Sequence, residues 1–267
     1  MTFDLDLDAL LEAARKGAAV GAAVVLDAYG AARNVRSKGP GDWVSDADTS
    51  SEHAIRAVLH DAAPDLAFFG EETGGDRADV GWFVDPLDGT ANFVHGFPVV
   101  GVSVALVADG QPVVGVIEAP MLGLVYAARL GGGATCNDEP IRVSRRDPEE
   151  SICATGFPFR AKRDRLPQYF PVFERALLTF EDLRRAGAAS LDLSWTAAGV
   201  LDGYFEQALG TWDVAAGALL VREAGGVVTD WQGDDRDWLR SGDVVAGSGP
   251  VHERLLELIA GPGRALV

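Results

Sequence analysis

Leu7, Leu10, Leu11, Ala14 and Ala18 recur at three- and four-residue spacing, which predicts a helix over residues 5–29. The stretch SKGPGDWVSD, 37–46, is rich in Gly and Pro and reads as a loop. A second helix is expected over about 47–60. Ser45 and Asp48 are spaced as a capping box, with Asp in place of the usual Glu. The pattern then changes to short apolar runs, which predict strands at 66–70, 80–84, 101–107, 112–119, 122–130 and 151–156. Asp109-Gly110 is a hairpin turn signal between two of them. Beyond about 162, helices are expected at 166–178, 188–200, 212–224 and 250–259, separated by short strands at 203–207, 227–230 and 243–247. Mixed strands and helices without strict alternation imply layered α+β or α/β sheets. Trp82, Phe83 and Phe93 belong to the expected core.

Composition narrows the function classes. With 267 residues, 48% hydrophobic, the chain can bury a large core. Its 23 Lys+Arg against 40 Asp+Glu give a net charge of −17, which repels nucleic acid and anionic membranes, so neither is an expected partner. The two cysteines, Cys136 and Cys153, form no C-x-x-C pair. The four histidines include no pair at i, i+4, and His95 is read as a structural hydrogen-bonder. The N-terminus is acidic where a signal peptide is basic. The longest apolar run, 18–26, is nine residues, against about 20 for a membrane span. The expected location is cytoplasmic.

The chemistry concentrates in GWFVDPLDGTANFVHGFP, 81–98. An apolar strand runs into Asp85 and Asp88, with Pro86 between them and Gly89-Thr90 after them. Pro86 fixes its own φ and biases Asp85 toward an extended backbone, so a short rigid turn aims both carboxylates one way. Like charges held close are costly unless a cation neutralises them. Oxygen ligands without His or Cys favour Mg²⁺ over Zn²⁺. The amides of Gly89 and Thr90 suit an anion if a helix begins there. Metal ligands beside an anion site describe a phosphate-ester site; the alternative is an Asp-rich turn that caps a helix.

The length of the pattern separates these readings. WFVDPLDGTANFVHGFP resembles the inositol monophosphatase signature W-x-x-D-P-[IL]-D-G-T-x-N-F, and GTWDVAAGALLVREAGG, 210–226, resembles the family's second signature, W-D-x-A-A-G. GEE, 70–72, and KGPGDWVSDAD, 38–48, resemble two further blocks in the same order. The resemblance spans about 5–259 and implies an alternating α-β-α-β-α sandwich. It implies one domain over 1–267, with an N-terminal α+β half of about 1–150 and a C-terminal α/β half of about 151–267. It also implies a Mg²⁺-dependent, Li⁺-sensitive phosphomonoesterase that assembles as a homodimer. By resemblance, Glu71, Asp85 and the Leu87 carbonyl hold one ion, and Asp85, Asp88 and Asp213 hold a second. A third ion binds weakly near Glu71, so two or three Mg²⁺ are expected. Glu71 and Thr90 orient the attacking water, activated by the metal. Asp48 is the acidic partner of Thr90 or simply a helix-start residue. Asp88, Gly89 and Thr90 face the phosphate. Lys38 is a solvated charge or a contact from a loop near the third metal.

The C-terminal half bears on the substrate. Glu206 stands seven residues before Asp213, where the resemblance places the glutamate that binds inositol hydroxyls; the alternative is an exposed strand-end carboxylate. Gly187 and Ala189 fit the inositol-type Gly-Ser-Ala or Gly-Thr-Ala block, while Ala188 replaces its hydroxyl residue. Thr155, in ATGFPF, is placed near the substrate. The expected reaction is hydrolysis of inositol monophosphate. Histidinol phosphate, fructose 1,6-bisphosphate and 3′-phosphoadenosine phosphate are the alternative substrates. A regulatory binding protein that reuses the fold is the reading from another class.

Overall fold

The structure, a computed structural model, describes residues 5–31, 34–39, 42–75, 78–158, 162–236 and 238–261. Chain order begins with α1 (Leu7–Ala28), β1 (Arg36–Gly39), β2 (Asp42–Val44) and α2 (Asp46–Ala62). The stretch expected as a loop is therefore an antiparallel hairpin, with Ser37 opposite Trp43. The expected capping box is present at the start of α2: the Ser45 side chain accepts from the helix backbone and Asp48 returns a bond to Ser45.

A seven-stranded sheet follows, in the order β3-β4-β5-β6-β7-β8-β9. Its strands are β3 (Ala67–Gly70), β4 (Val80–Asp88), β5 (Gly101–Ala108), β6 (Gln111–Ala119), β7 (Leu124–Arg129), β8 (Gly133–Cys136) and β9 (Glu139–Pro140), with a short helix, α3 (Thr90–His95), after β4. β5 and β6 meet at Asp109-Gly110 as the turn chemistry predicts, both residues having positive φ. The second sheet has the order β11-β10-β12-β14-β13. It comprises β10 (Ile152–Thr155), β11 (Asp182–Arg184), β12 (Gly203–Glu206), β13 (Val227–Thr229) and β14 (Val244–Gly247). The remaining helices are α4 (Lys162–Thr179), α5 (Ala189–Ala197), α6 (Thr211–Glu223), α7 (Trp238–Ser241) and α8 (Gly249–Ala260).

Strand alternation assigns the two faces of each sheet. Trp82, Val84, Val102, Val104 and Leu106 meet Ala14, Ala18, Val25, Ile55 and Leu59 of α1 and α2. On the opposite face, Phe83, Ala105 and Ile117 join Leu191 and Leu193 of α5 and Val214 to Val221 of α6. The same central layer receives Ala154, Tyr204, Val244 and Ala246 from the second sheet. The far face of that sheet, with Cys153, Phe205 and Val245, packs on α4 and α8. The layers are thus α-β-α-β-α, and Trp82, Phe83 and Phe93 are core as expected. No helix among the described residues is long and apolar enough to cross a membrane.

Candidate active site

β4 does not stop at Val84. Asp85 pairs with Ser103 and Asp88 with Gly101, so three steps on β4 face two on β5. This is a β-bulge, a device that re-aims side chains at a strand end. Pro86 has no N–H to lose from the ladder, and the Leu87 N–H donates to Asp85 Oδ1 at 2.9 Å. Gly89 then turns the chain with φ +87°, and a Cβ there would lie 2.9 Å from the Val99 carbonyl oxygen. Only glycine suits both demands. α3 begins at the next residue, Thr90.

Carboxylate oxygens of Glu71, Asp85 and Asp213 lie within 4.8 Å of one another. They come from the turn after β3, the β4 bulge and the first turn of α6. Asp85 is 1% exposed, and burial pushes its carboxyl well above the usual range. Repulsion from Glu71, Asp88 and Asp213 pushes it further. The fold therefore stores a buried like-charge cluster. The donor atoms are all oxygen, which fits a hard divalent ion, and such an ion would relieve the repulsion. Asp88 sits beside this group: its Oδ2 accepts from the Ser190 N–H at 2.7 Å and the Ser190 hydroxyl at 2.6 Å. Asp213 Oδ2 accepts from the Gly210 N–H at 2.6 Å.

Asp48 fulfils both geometries weighed for it. Its Oδ2 accepts from the Ser45 N–H at 2.8 Å, which starts α2, and its Oδ1 accepts from the Thr90 hydroxyl at 2.9 Å. The Thr90 hydroxyl also lies 3.0 Å from the Leu87 carbonyl oxygen. Its single proton goes to one of these two inward acceptors.

The same face of α2 holds two residues that sequence reasoning missed. The Ser51 hydroxyl donates to the Pro86 carbonyl at 3.0 Å. Glu52, 1% exposed, accepts from the Glu72 N–H at 2.9 Å and the Thr73 N–H at 3.0 Å. One helix thus fixes the β4 bulge and the turn that carries Glu71. The i, i+3, i+4 spacing of Asp48, Ser51 and Glu52 was the available signal. Glu52→Gln leaves one of the two amides without its acceptor, and should weaken metal binding by about 10–100-fold, as outer-shell changes do. Calorimetric metal titration of the variant checks this, and unaltered affinity would count against it.

A cleft of about 260 Å³ opens onto these groups, lined by Glu71, Asp85, Leu87, Asp88, Gly89, Thr90 and Asp213. Gly187, Ala189 and Glu206 line it too, so the sequence-predicted residues converge. Glu206 is not an exposed strand-end carboxylate: it is 7% exposed, and the Tyr204 hydroxyl donates to its Oε2 at 2.5 Å. Burial pushes its carboxyl up to about 8, opposed by the Tyr204 bond and by Arg185. A Cβ on Gly156 would lie 1.9 Å from the Glu206 carboxyl carbon, so that neighbour too must be glycine. Arg185, missed from sequence, also lines the cleft, its guanidinium carbon 5.5 Å from the centre of the Phe157 ring.

Two expected positions are corrected. Thr155 does not reach the cleft; it is fully buried, bonded to the Tyr169 hydroxyl and the Phe205 carbonyl, both at 2.7 Å. His95 is an exposed residue ending α3, and its side chain has no hydrogen bond among the described residues. Lys38 lies on β1, and its side chain falls outside the described residues.

Comparison with known proteins agrees with this geometry. The family model described as "Inositol monophosphatase family" matches residues 6–262. An inositol-1-monophosphatase of Mesorhizobium japonicum is 42% identical over 232 residues, covering 85% of this chain and 86% of the relative. The Nus factor SuhB of Pseudomonas aeruginosa is 42% identical over 233 residues, with 85% and 86% coverage. The crystal structure of the extragenic suppressor protein suhB from Bartonella henselae superposes with a TM-score of 0.89 at 37% identity, covering 96% of this chain and 99% of that one. The inositol monophosphatase from Anabaena gives a TM-score of 0.85 at 31% identity, covering 96% of each chain. With the whole-chain family match and the converging carboxylates, the chain belongs to the inositol monophosphatase family.

Proposed function

We propose that the chain is a Mg²⁺-dependent phosphomonoesterase whose substrate is inositol monophosphate. The observation that carries this reading is the cluster of half-buried Glu71 with buried Asp85 and Asp213, opening onto the same cleft as Gly89, Thr90 and Glu206. Glu71, Asp85 and the Leu87 carbonyl would hold one ion; Asp85, Asp88 and Asp213 would hold a second. When bound, Mg²⁺ supplies Lewis-acid activation of water and neutralises the phosphoryl oxygens.

The other steps belong to the chain. Because the Thr90 proton is committed inward, toward Asp48 or the Leu87 carbonyl, its hydroxyl oxygen can accept from a water in the cleft. With Glu71 it orients that water for in-line attack. The Gly89 and Thr90 amides receive the phosphate, and the small residues Gly187 and Ala189 leave room for the ring. Glu206, held by Tyr204, accepts from the ring hydroxyls.

Charge-assisted hydrogen bonds are worth roughly 1.5–3 kcal/mol, or roughly 10- to 150-fold. Assayed above about pH 8, where Glu206 is ionised, Glu206→Gln should lower kcat/KM for inositol 1-phosphate by about that factor relative to p-nitrophenyl phosphate. Equal loss on both substrates would assign Glu206 to the metal site or the fold. No loss on either would leave histidinol phosphate, fructose 1,6-bisphosphate or 3′-phosphoadenosine phosphate as the better substrate, and a panel of these esters identifies it.

Relatives named Nus factor SuhB support a second reading, a regulatory binding role on the same fold. The two readings are compatible, because Glu71, Asp85, Asp88, Thr90 and Asp213 are all present. A chain that binds a regulatory partner but releases no phosphate from any ester would favour the second alone.

A further inference from the structure

Asp192 lies on α5 and lines the same cleft as Asp88, Arg185 and Glu206. It is 1% exposed, and its Oδ1 has no hydrogen-bond partner among the described residues. Its helix neighbours are all satisfied: Ser190 donates to Asp88, Ser194 to the Ser190 carbonyl and Thr196 to the Asp192 carbonyl. A carboxylate oxygen taken from water without a donor is expensive, and native folds rarely leave one. A second orphan lines the same wall. Gln207, 1% exposed, has neither side-chain amide atom bonded among the described residues. Three of the buried side-chain atoms without partners thus belong to two residues of one cleft, on the side where Glu206 stands. Such a wall is built for a ligand that supplies several hydrogen-bonding groups.

Charge selects the kind of ligand. Burial pushes the Asp192 carboxyl well above the usual range, and Glu206 and Asp88 push it further, while Arg185 opposes them. Where both are ionised, two carboxylates against one guanidinium leave this wall without surplus positive charge. A second phosphate is unwelcome there, whereas hydroxyl donors answer both carboxylates. Gly187 and Ala189 add no bulk between α5 and the cleft.

We propose that Asp192 is a specificity-determining residue, its Oδ1 accepting a substrate hydroxyl so that Asp192 and Glu206 together select the polyol part of a monophosphate ester. This rests on the reading of Glu206 as a hydroxyl acceptor and adds a second, separate contact. It predicts preference for an uncharged, densely hydroxylated leaving group over a bisphosphate.

The test compares full-length wild type, Asp192→Asn and Glu206→Gln on inositol 1-phosphate, glycerol 2-phosphate, fructose 1,6-bisphosphate and p-nitrophenyl phosphate. Asn keeps the shape and one acceptor but loses the charge assistance. Asp192→Asn should lower the kcat/KM ratio of inositol 1-phosphate to p-nitrophenyl phosphate by about 10-fold, mostly through KM. The ratio of fructose 1,6-bisphosphate to inositol 1-phosphate should rise. An unchanged ratio with Asp192→Asn, beside a selective loss with Glu206→Gln, overturns the role of Asp192 and leaves the proposed function standing. A selective loss with Asp192→Asn alone keeps the Asp192 contact and overturns the joint selection with Glu206. Equal loss on every ester overturns the proposal, since it marks a structural effect. If the Asn variant fails to fold, Asp192→Ser serves the same comparison.

Discussion

Asp85→Asn should make the metal-free protein more stable and the enzyme inactive. Asp85 is buried beside Glu71 and Asp213, and each adds to the repulsion on its carboxyl. Asn removes one like charge and keeps the Oδ1 that accepts the Leu87 N–H, so the bulge persists. Its new N–H₂ donates to neighbouring carboxylates. A gain of about 0.5–2 kcal/mol is typical when a functional strain of this kind is relieved, which raises Tm by a few degrees in a chain of this size. Turnover should fall beyond the roughly 10–100-fold cost of an outer-shell change, because the carboxylate shared by both proposed ions is lost. Thermal melting in EDTA and phosphate release in Mg²⁺ read the two effects separately. A metal-free variant less stable than wild type, with near-normal turnover, would count against a metal role for Asp85.

Thr90→Ala should lower kcat by about 10²–10⁴-fold, the usual worth of a positioned proton-transfer group. The side chain contributes no carboxylate to the cluster, so Mg²⁺ affinity should stay near that of wild type. Asp48 keeps its two bonds from Ser45, which preserve the start of α2. Single-turnover kinetics at saturating Mg²⁺, with a separate metal titration, distinguish slow chemistry from lost metal. Wild-type kcat in the variant would remove Thr90 from the mechanism.

Much of the fold was legible because period and turn chemistry agree locally. The α1 spacing, the Asp109-Gly110 hairpin and the capping box at Ser45 each appear where the pattern places them. The β1–β2 hairpin was not legible, because Gly and Pro in a short polar segment read alike as loop or as tight turn. The β4 bulge was hidden too: Asp85-Pro86 looks like a strand end, and only pairing with Ser103 and Gly101 on β5 shows that the strand continues. Tyr204 and Glu206 share a strand face by alternation, yet burial of that face depends on packing against α5 and α6. Glu52 shows only its helical spacing from Asp48 on α2, and Asp192 carries no local signal. The amides that need Glu52 lie some 20 residues away, at Glu72 and Thr73. Asp192 is notable only for a missing partner, which no sequence displays.

Phosphate release from inositol 1-phosphate by the full chain, followed with Mg²⁺, after EDTA and after Mg²⁺ is restored, tests the central claim most directly. The account predicts release in Mg²⁺, its loss in EDTA and its recovery on re-addition, because buried carboxylates with oxygen-only donors have no substitute for a hard cation. Undiminished release from the metal-free protein, or no release under any of the three conditions, would contradict it.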